Sequence, residues 1–225
     1  AGGLTPNAYL YGSEFTRVSV QQIQKQRIEE YADALESEIT AQTSATTASA
    51  LTDRDTAAAA AEAQNARAAL SRLREAEPSG RIVLQLKPDS SGIAALPDLP
   101  LEDGDRFIVP RVPSTVTVEG QVYDANAFLY ENGRRVQDYL RLAGGPDRNA
   151  DQKREFILRA DGSVLSRQYT SSRHFGNFNK LPMYPGDTIV VPPQISKGSV
   201  MRELVNISSI LQGFGIAAAA IQVLK

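Results

Sequence analysis

The residues with the clearest chemical potential sit in one short stretch, SSRHFGNFNK, which carries the chain's single histidine, His174, beside Ser171 and Ser172. A hydroxyl near an imidazole raises the thought of a hydrolase. That chemistry needs a strained nucleophile turn and an ordered acid, and neither pattern is visible, so a structural or surface histidine is the plainer reading. In the same loop Phe175, Asn177, Phe178 and Asn179 combine ring faces with amides, a set able to stack on and hydrogen-bond a sugar. The competing reading is a hydrophobic plug for the end of a sheet. Gly-Asp pairs at 104–105 and 186–187 resemble ligand loops, yet as repeated turn residues they need no function.

Composition removes most other chemistry. The 225 residues include no cysteine, which excludes thiol nucleophiles, disulfides and cysteine-based zinc sites, and a lone histidine excludes a His-x-x-x-His metal pair. No catalytic residue, cofactor or metal is expected. Lys and Arg number 24 against 26 Asp and Glu, a net charge of -2 that gives no footing for a nucleic-acid partner. Hydrophobic residues at 42% and charged residues at 22% are ordinary globular values. The chain opens on alanine with no apolar signal segment, which reads as a processed or truncated product whose compartment no targeting peptide reveals.

An internal repeat organises the elements that must position these residues. LPLEDGDRFIVP at 99–110 aligns with LPMYPGDTIVVP at 181–192, 82 positions on. AGG at 1–3 matches AGG at 143–145, and Phe15 to Arg17 resembles Phe156 to Arg159, now about 142 positions on. The difference of about 60 residues implies an insertion at about 18–77 in the first copy.

The second copy shows what the unit is. STVTVEGQVYDANAFLYENG alternates Val116, Val118 and Val122 with polar residues and turns at Asn132-Gly133, which reads as two strands. Val136, Tyr139, Leu140 and Ala143 follow helical spacing and end on a glycine pair. REFILRADGSVLSR reads as a hairpin about Asp161-Gly162, and LPMYPGDTIVVP as a closing strand. The expected fold class is therefore α+β: two β-grasp-like units over 1–112 and 113–194, with the strands and helix that open the unit lacking from the first.

The insertion reads as a helical hairpin. Ser19 and Gln22 suggest a capping box, Ile23, Ile28, Tyr31, Leu35 and Ile39 form one stripe, 43–52 reads as the turn, and an alanine-rich helix follows from about 53 to 75 through Leu70 and Leu73. Its use is as a packing device between subunits or a contact arm for another protein.

AGGLTPNAYLYGSEFTR, LPLEDGDRFIVP, VTVEGQV and YLRLAGG together resemble the soluble-ligand-binding β-grasp (SLBB) domains of bacterial outer-membrane polysaccharide export proteins, the Wza-like family. The resemblance implies a non-catalytic part of a capsular or exopolysaccharide translocon in the periplasm and outer membrane of a Gram-negative bacterium. It implies a homo-oligomeric ring, an inner-membrane polysaccharide co-polymerase or export partner, and the polysaccharide itself as cargo. The clustered Arg134, Arg135, Arg141, Arg148, Lys153 and Arg154 then read either as a solvated or subunit face or as an attractor for an acidic polysaccharide.

The C-terminal stretch, 195–225, contains 21 uncharged residues from Leu204 to Leu224, enough as a helix to cross a hydrocarbon layer of about 30 Å. On a helical projection Leu204, Ile207, Ile210, Leu211, Phe214, Ala218 and Ile221 share a lipid-facing side. Ser208, Ser209, Gln212 and Gly213 share the other, suited to a lumen or to close helix packing. Three readings stay open: a ring-forming amphipathic span, a single membrane anchor, or a helix docked on the protein. The alternative function is accordingly a periplasmic sugar-binding or scaffold module anchored by this helix.

Overall fold

The computed structural model describes residues 3–50, 52–170 and 177–194. The tail at 195–225, with every lipid-facing and lumen residue named above, lies outside them. The chain mixes helices with two β-sheets and so belongs to the α+β class. Its described residues divide into two compact units, Ser19–Gly80 and the combination of 3–18 with Arg81–Gln194.

Helices α1 (Val18–Ser49) and α2 (Asp53–Arg74) make up the first unit. Their buried residues recur at spacings of four and three: Ile28, Ala32, Leu35 and Ile39 on α1, and Ala59, Ala63, Ala66, Leu70 and Leu73 on α2. That is the pattern of a seam between two antiparallel helices, and the small alanines let the backbones approach closely. Thr52 caps α2 by accepting from the Asp55 amide, while Asp53 and Asp55 at its start and Arg72 and Arg74 at its end complement the helix dipole. At the other end of the hairpin Arg74 donates to both Asp33 and Glu36 at 2.7 Å.

Three expectations for the hairpin are corrected. Residues 43–49 are not part of the turn: α1 runs on to Ser49, and Thr40, Thr43, Ser44, Thr46 and Ser49 satisfy their hydroxyls inside it by donating to carbonyls four residues back. Helix α1 is consequently about 48 Å long at 1.5 Å per residue. Ser19 lies inside the first turn instead of capping it, and Ile23 is 57% exposed, off the seam that Ala32 completes.

The second unit holds both sheets. Strands β1 (Glu14–Thr16), β2 (Arg81–Ile82) and β3 (Arg106–Ile108) form an antiparallel sheet with β1 in the middle. Strands β4 (Thr115–Gly120), β5 (Asn126–Leu129), β6 (Phe156–Leu158), β7 (Val164–Ser166) and β8 (Thr188–Val191) form a mixed sheet in the order β5-β4-β8-β6-β7, with β4 and β8 parallel. The alternation in TVTV turns Val116 and Val118 inward, where helix α3 (Val136–Leu142) covers them with Val136, Tyr139 and Leu140. A second core of Tyr9, Leu10, Tyr11 and Leu86 packs against Ala160 and Tyr184, and the Tyr9 hydroxyl donates to the Pro185 carbonyl at 2.9 Å.

The repeat is visible in the strand register. Phe15 faces Phe107 across β1 and β3 as Ile157 faces Ile189 across β6 and β8, and Glu14 faces Ile108 as Phe156 faces Val190. These four correspondences reproduce the sequence offsets of 142 and 82.

Enlarging a seam alanine tests the division into units. Ala66 is fully buried, so Ala66→Leu overpacks the helical seam and should destabilise it by about 1–3 kcal/mol. Amide exchange is the measurement: α1 and α2 should lose protection while β4 and β8 keep theirs.

Candidate interaction surface and its supporting turns

The Gly-Asp pairs turn out to anchor each repeat. Gly104 at φ +83° and Gly186 at φ +81° give the chain a left-handed step that side chains rarely adopt, which lets the following aspartate fold back on its own turn. Asp105 accepts from the Glu102 amide and Asp187 from the Tyr184 amide, each at 2.8 Å. Each aspartate then takes an arginine from the neighbouring strand segment. Arg17 donates through Nε and Nη2 to Asp105 at 2.9 and 2.8 Å and to the Pro100 carbonyl at 2.8 Å. Arg159 donates through Nη1 to Asp187 at 2.5 Å and to the Pro182 carbonyl at 2.9 Å. The two clamps correspond residue for residue under the repeat.

Their surroundings differ. Side-chain exposure is 6% for Arg159 and 0% for Asp187, against 13% and 6% for Arg17 and Asp105. The Arg17 hydrogen bond holds the Asp105 carboxyl below the usual carboxylate range. Burial pushes the Asp187 carboxyl up, with Arg159 and the amides of Tyr184 and Ala160 pulling the other way. Burial likewise raises the phenols of Tyr9 and Tyr11, which therefore stay neutral, and Tyr9 donates to the Pro185 carbonyl.

A second buried charge lies between residues 155, 167 and 179. Helix α4 (Arg167–Thr170) begins with Arg167, whose guanidinium lies 4.6 Å over the Phe178 ring and donates to Glu155 and, at 2.6 Å, to Asn179. Burial raises the Glu155 carboxyl against the pull of Arg167. Phe178 is fully buried in the core under that guanidinium, so it fills the hydrophobic-plug position and offers no face for sugar stacking. That agrees with the plug reading at Phe178 itself. Asn177 accepts from the Asn179 amide and starts the short turn at Phe178–Lys180. Ser171, Ser172, His174 and Phe175 lie outside the described residues.

The basic cluster is partly neutralised. Arg134 pairs with Glu131 at 2.8 Å, Arg141 with Asp138 at 3.6 Å and Arg154 with Asp151 at 3.7 Å, each a local pair three residues apart. Arg135, Arg148 and Lys153 are exposed, and the same repeat exposes Tyr123 and Tyr169. Among the described residues no group of three His, Cys, Asp or Glu side chains is placed to hold a metal ion, and no helix is long and apolar enough to cross a membrane.

Sequence reasoning treated Gly-Asp as bare turn residues and missed Arg17, Arg159, Glu155 and Arg167. A signal was present for the first two, since the repeat aligns Arg17 with Arg159 as it aligns Asp105 with Asp187.

No family model matches the chain. Two curated Escherichia coli sequences, both polysialic acid transport protein KpsD, are each 27% identical over 160 residues, which is 71% of this chain. The match covers 25% of those proteins, so the chain spans about a quarter of the length of the curated relatives it matches. The chain is thus similar, at this distance, to proteins that transport polysialic acid.

Two substitutions test the clamps. Asp187→Asn leaves Arg159 buried without its counter-charge and should destabilise the unit by about 3–5 kcal/mol in urea titration. Asp105→Asn probes pH dependence: a carboxyl held low when folded stabilises above its unfolded pKa and ceases to as pH falls through the lower folded value. The gap in urea midpoint between the natural chain and Asp105→Asn should therefore be open at neutral pH and close in acid.

Proposed function

We propose that this chain is a non-catalytic component of an outer-membrane translocon that exports capsular or exopolysaccharide. The 160-residue similarity to polysialic acid transport proteins carries the reading, and the duplicated strand unit supports it. In this reading the two repeats are SLBB-like units at 1–112 and 113–194, and copies of the chain close into a ring in the periplasm. The 204–224 helices cross the outer membrane together, with Phe214 toward lipid and Gln212 toward the lumen. An amphipathic span is stable only when copies shield their polar faces around a common interior, which is why the ring and the span belong together. An inner-membrane export partner feeds the polymer, and Arg135, Arg148 and Lys153 attract it if it is acidic.

Phe214→Lys and Gln212→Lys separate the possibilities. A charge on the lipid face is expensive, on the order of 2–4 kcal/mol per copy at the midplane, so Phe214→Lys should abolish membrane insertion and surface polysaccharide. Gln212→Lys should be tolerated. Equal tolerance would favour a helix docked on the protein, and equal intolerance a single anchor, either of which overturns the ring. Membrane fractionation and surface-polysaccharide staining in the native host read both variants.

A further inference from the structure

Helices α1 and α2 each bury one stripe in their common seam, and each carries a second stripe on the opposite side. On α1 it is Ala34, Ser37, Ala41, Ser44 and Ala48, all exposed and spaced three and four apart like the buried Ile28, Ala32, Leu35 and Ile39. On α2 it is Ala57, Ala61 and Ala68, exposed in the same way. The serines need no partner: Ser37 donates to the Asp33 carbonyl at 3.0 Å and Ser44 to the Thr40 carbonyl at 2.9 Å, so covering them orphans no hydroxyl. No charged residue occurs at 39–52 or at 56–61. A helical arm that stands in water over this length carries charge along its outer faces, and this one has small side chains there instead.

We propose that the outer face of α1 packs against the outer face of α2 in a second copy of this chain, with the two hairpins at the same height. Contacts inside the hairpin set the relative level of its helices: Arg74 reaches Asp33 and Glu36, and Ile39 and Thr43 line a small cavity with Ala59 and Ala63. Carried to a neighbouring hairpin, the same levels place Ser37 opposite Ala68, Ser44 opposite Ala61 and Ala48 opposite Ala57. Ala41 then meets Gln64, the one bulky position in the α2 stripe. Small residues on both sides let the helix axes approach to about 8 Å. Toward the open end of the hairpin Glu30 of α1 comes level with Arg72 of α2, both exposed, so the two faces are complementary in charge as well as in shape.

The occupant follows from what each alternative leaves bare. Either face set against its own copy at the same height brings Glu30 against Glu30 or Arg72 against Arg72, and the other stripe stays uncovered. The face of α2 matches that of α1 in spacing, side-chain size and charge, and one repeated contact covers both. Such a contact is heterologous, and repeating it generates a closed ring or an open array. It deepens the ring of the export reading by naming an interface, and closure of the ring rests on that reading.

The chain has no cysteine, so introduced cysteines report the contact directly. Purified chain carrying Ser37→Cys is mixed in detergent with chain carrying Ala68→Cys and oxidised. The mixed pair should give a disulfide-linked dimer in about tenfold excess over either variant alone. Ser37→Cys with Ala57→Cys, about 16 Å further along α2, should not link. Ala61→Trp in the second chain, at an exposed position outside the seam, should abolish the link. Arg72→Glu in the second chain should weaken it about threefold, and Glu30→Arg in the first should restore it, the modest effect of an exposed ion pair. No link, linking within single variants, or linking indifferent to Ala61→Trp would overturn the contact. Assembly of the chain without the mixed link would overturn the contact and leave the ring reading standing. The mixed link in a chain whose Phe214→Lys and Gln212→Lys variants behave alike would support the contact and sink the outer-membrane ring.

Discussion

The contact between Arg159 and Asp187 fixes how the larger sheet is strung together. Asp187 sits at the entry to β8, Arg159 at the exit from β6, and the same carboxylate takes the amides of Tyr184 and Ala160. One side chain thereby ties a turn to the strand that pairs with it. The constraint matters because a one-residue slip between β6 and β8 would send Ile157 and Ile189 out of the core. Burying two charges is expensive, and an apolar pair of similar volume is often as stable, so the clamp is better understood as setting register than as adding net stability. Its reappearance as Arg17 and Asp105, in a more exposed setting, fits that role.

With register held locally, the connection between the clamped strand and its other neighbour is free to vary. In the second repeat β6 reaches β7 through the tight turn at Asp161-Gly162. In the first, β1 reaches β2 only after both long helices, yet the two strands still pair. Lengthening a loop adds little closure entropy, roughly 0.6 kcal/mol per doubling, so a sheet pinned by its own clamp tolerates an inserted hairpin with a seam of its own.

The second repeat was legible because its signals are local: valines at alternate positions in 116–118, helical spacing from Val136 to Leu140, and glycine turns between strands. The hairpin was legible as two helices but not in its turn, since the Ser/Thr bias of 43–49 has opposite meanings in a loop and in a helix whose hydroxyls bond back to the backbone. Phe178 read more readily as a plug than as a ring face for a ligand, and its burial under Arg167 agrees with the plug. The repeat marks the clamp residues as equivalent without showing that they pair. Arg159 and Asp187 are 28 positions apart and Arg17 and Asp105 are 88 apart, beyond any periodicity, so the pairing exists only once the strands are side by side.

The most direct measurement is a double-mutant cycle on the buried clamp, using Arg159→Met, Asp187→Leu and the pair, with unfolding free energies from urea titration. If the two side chains act as one device, the double variant should recover much of what either single variant loses, giving a coupling of about 2 kcal/mol or more. Additive losses, with a coupling near zero, would contradict the clamp as the constraint on which the sheet depends.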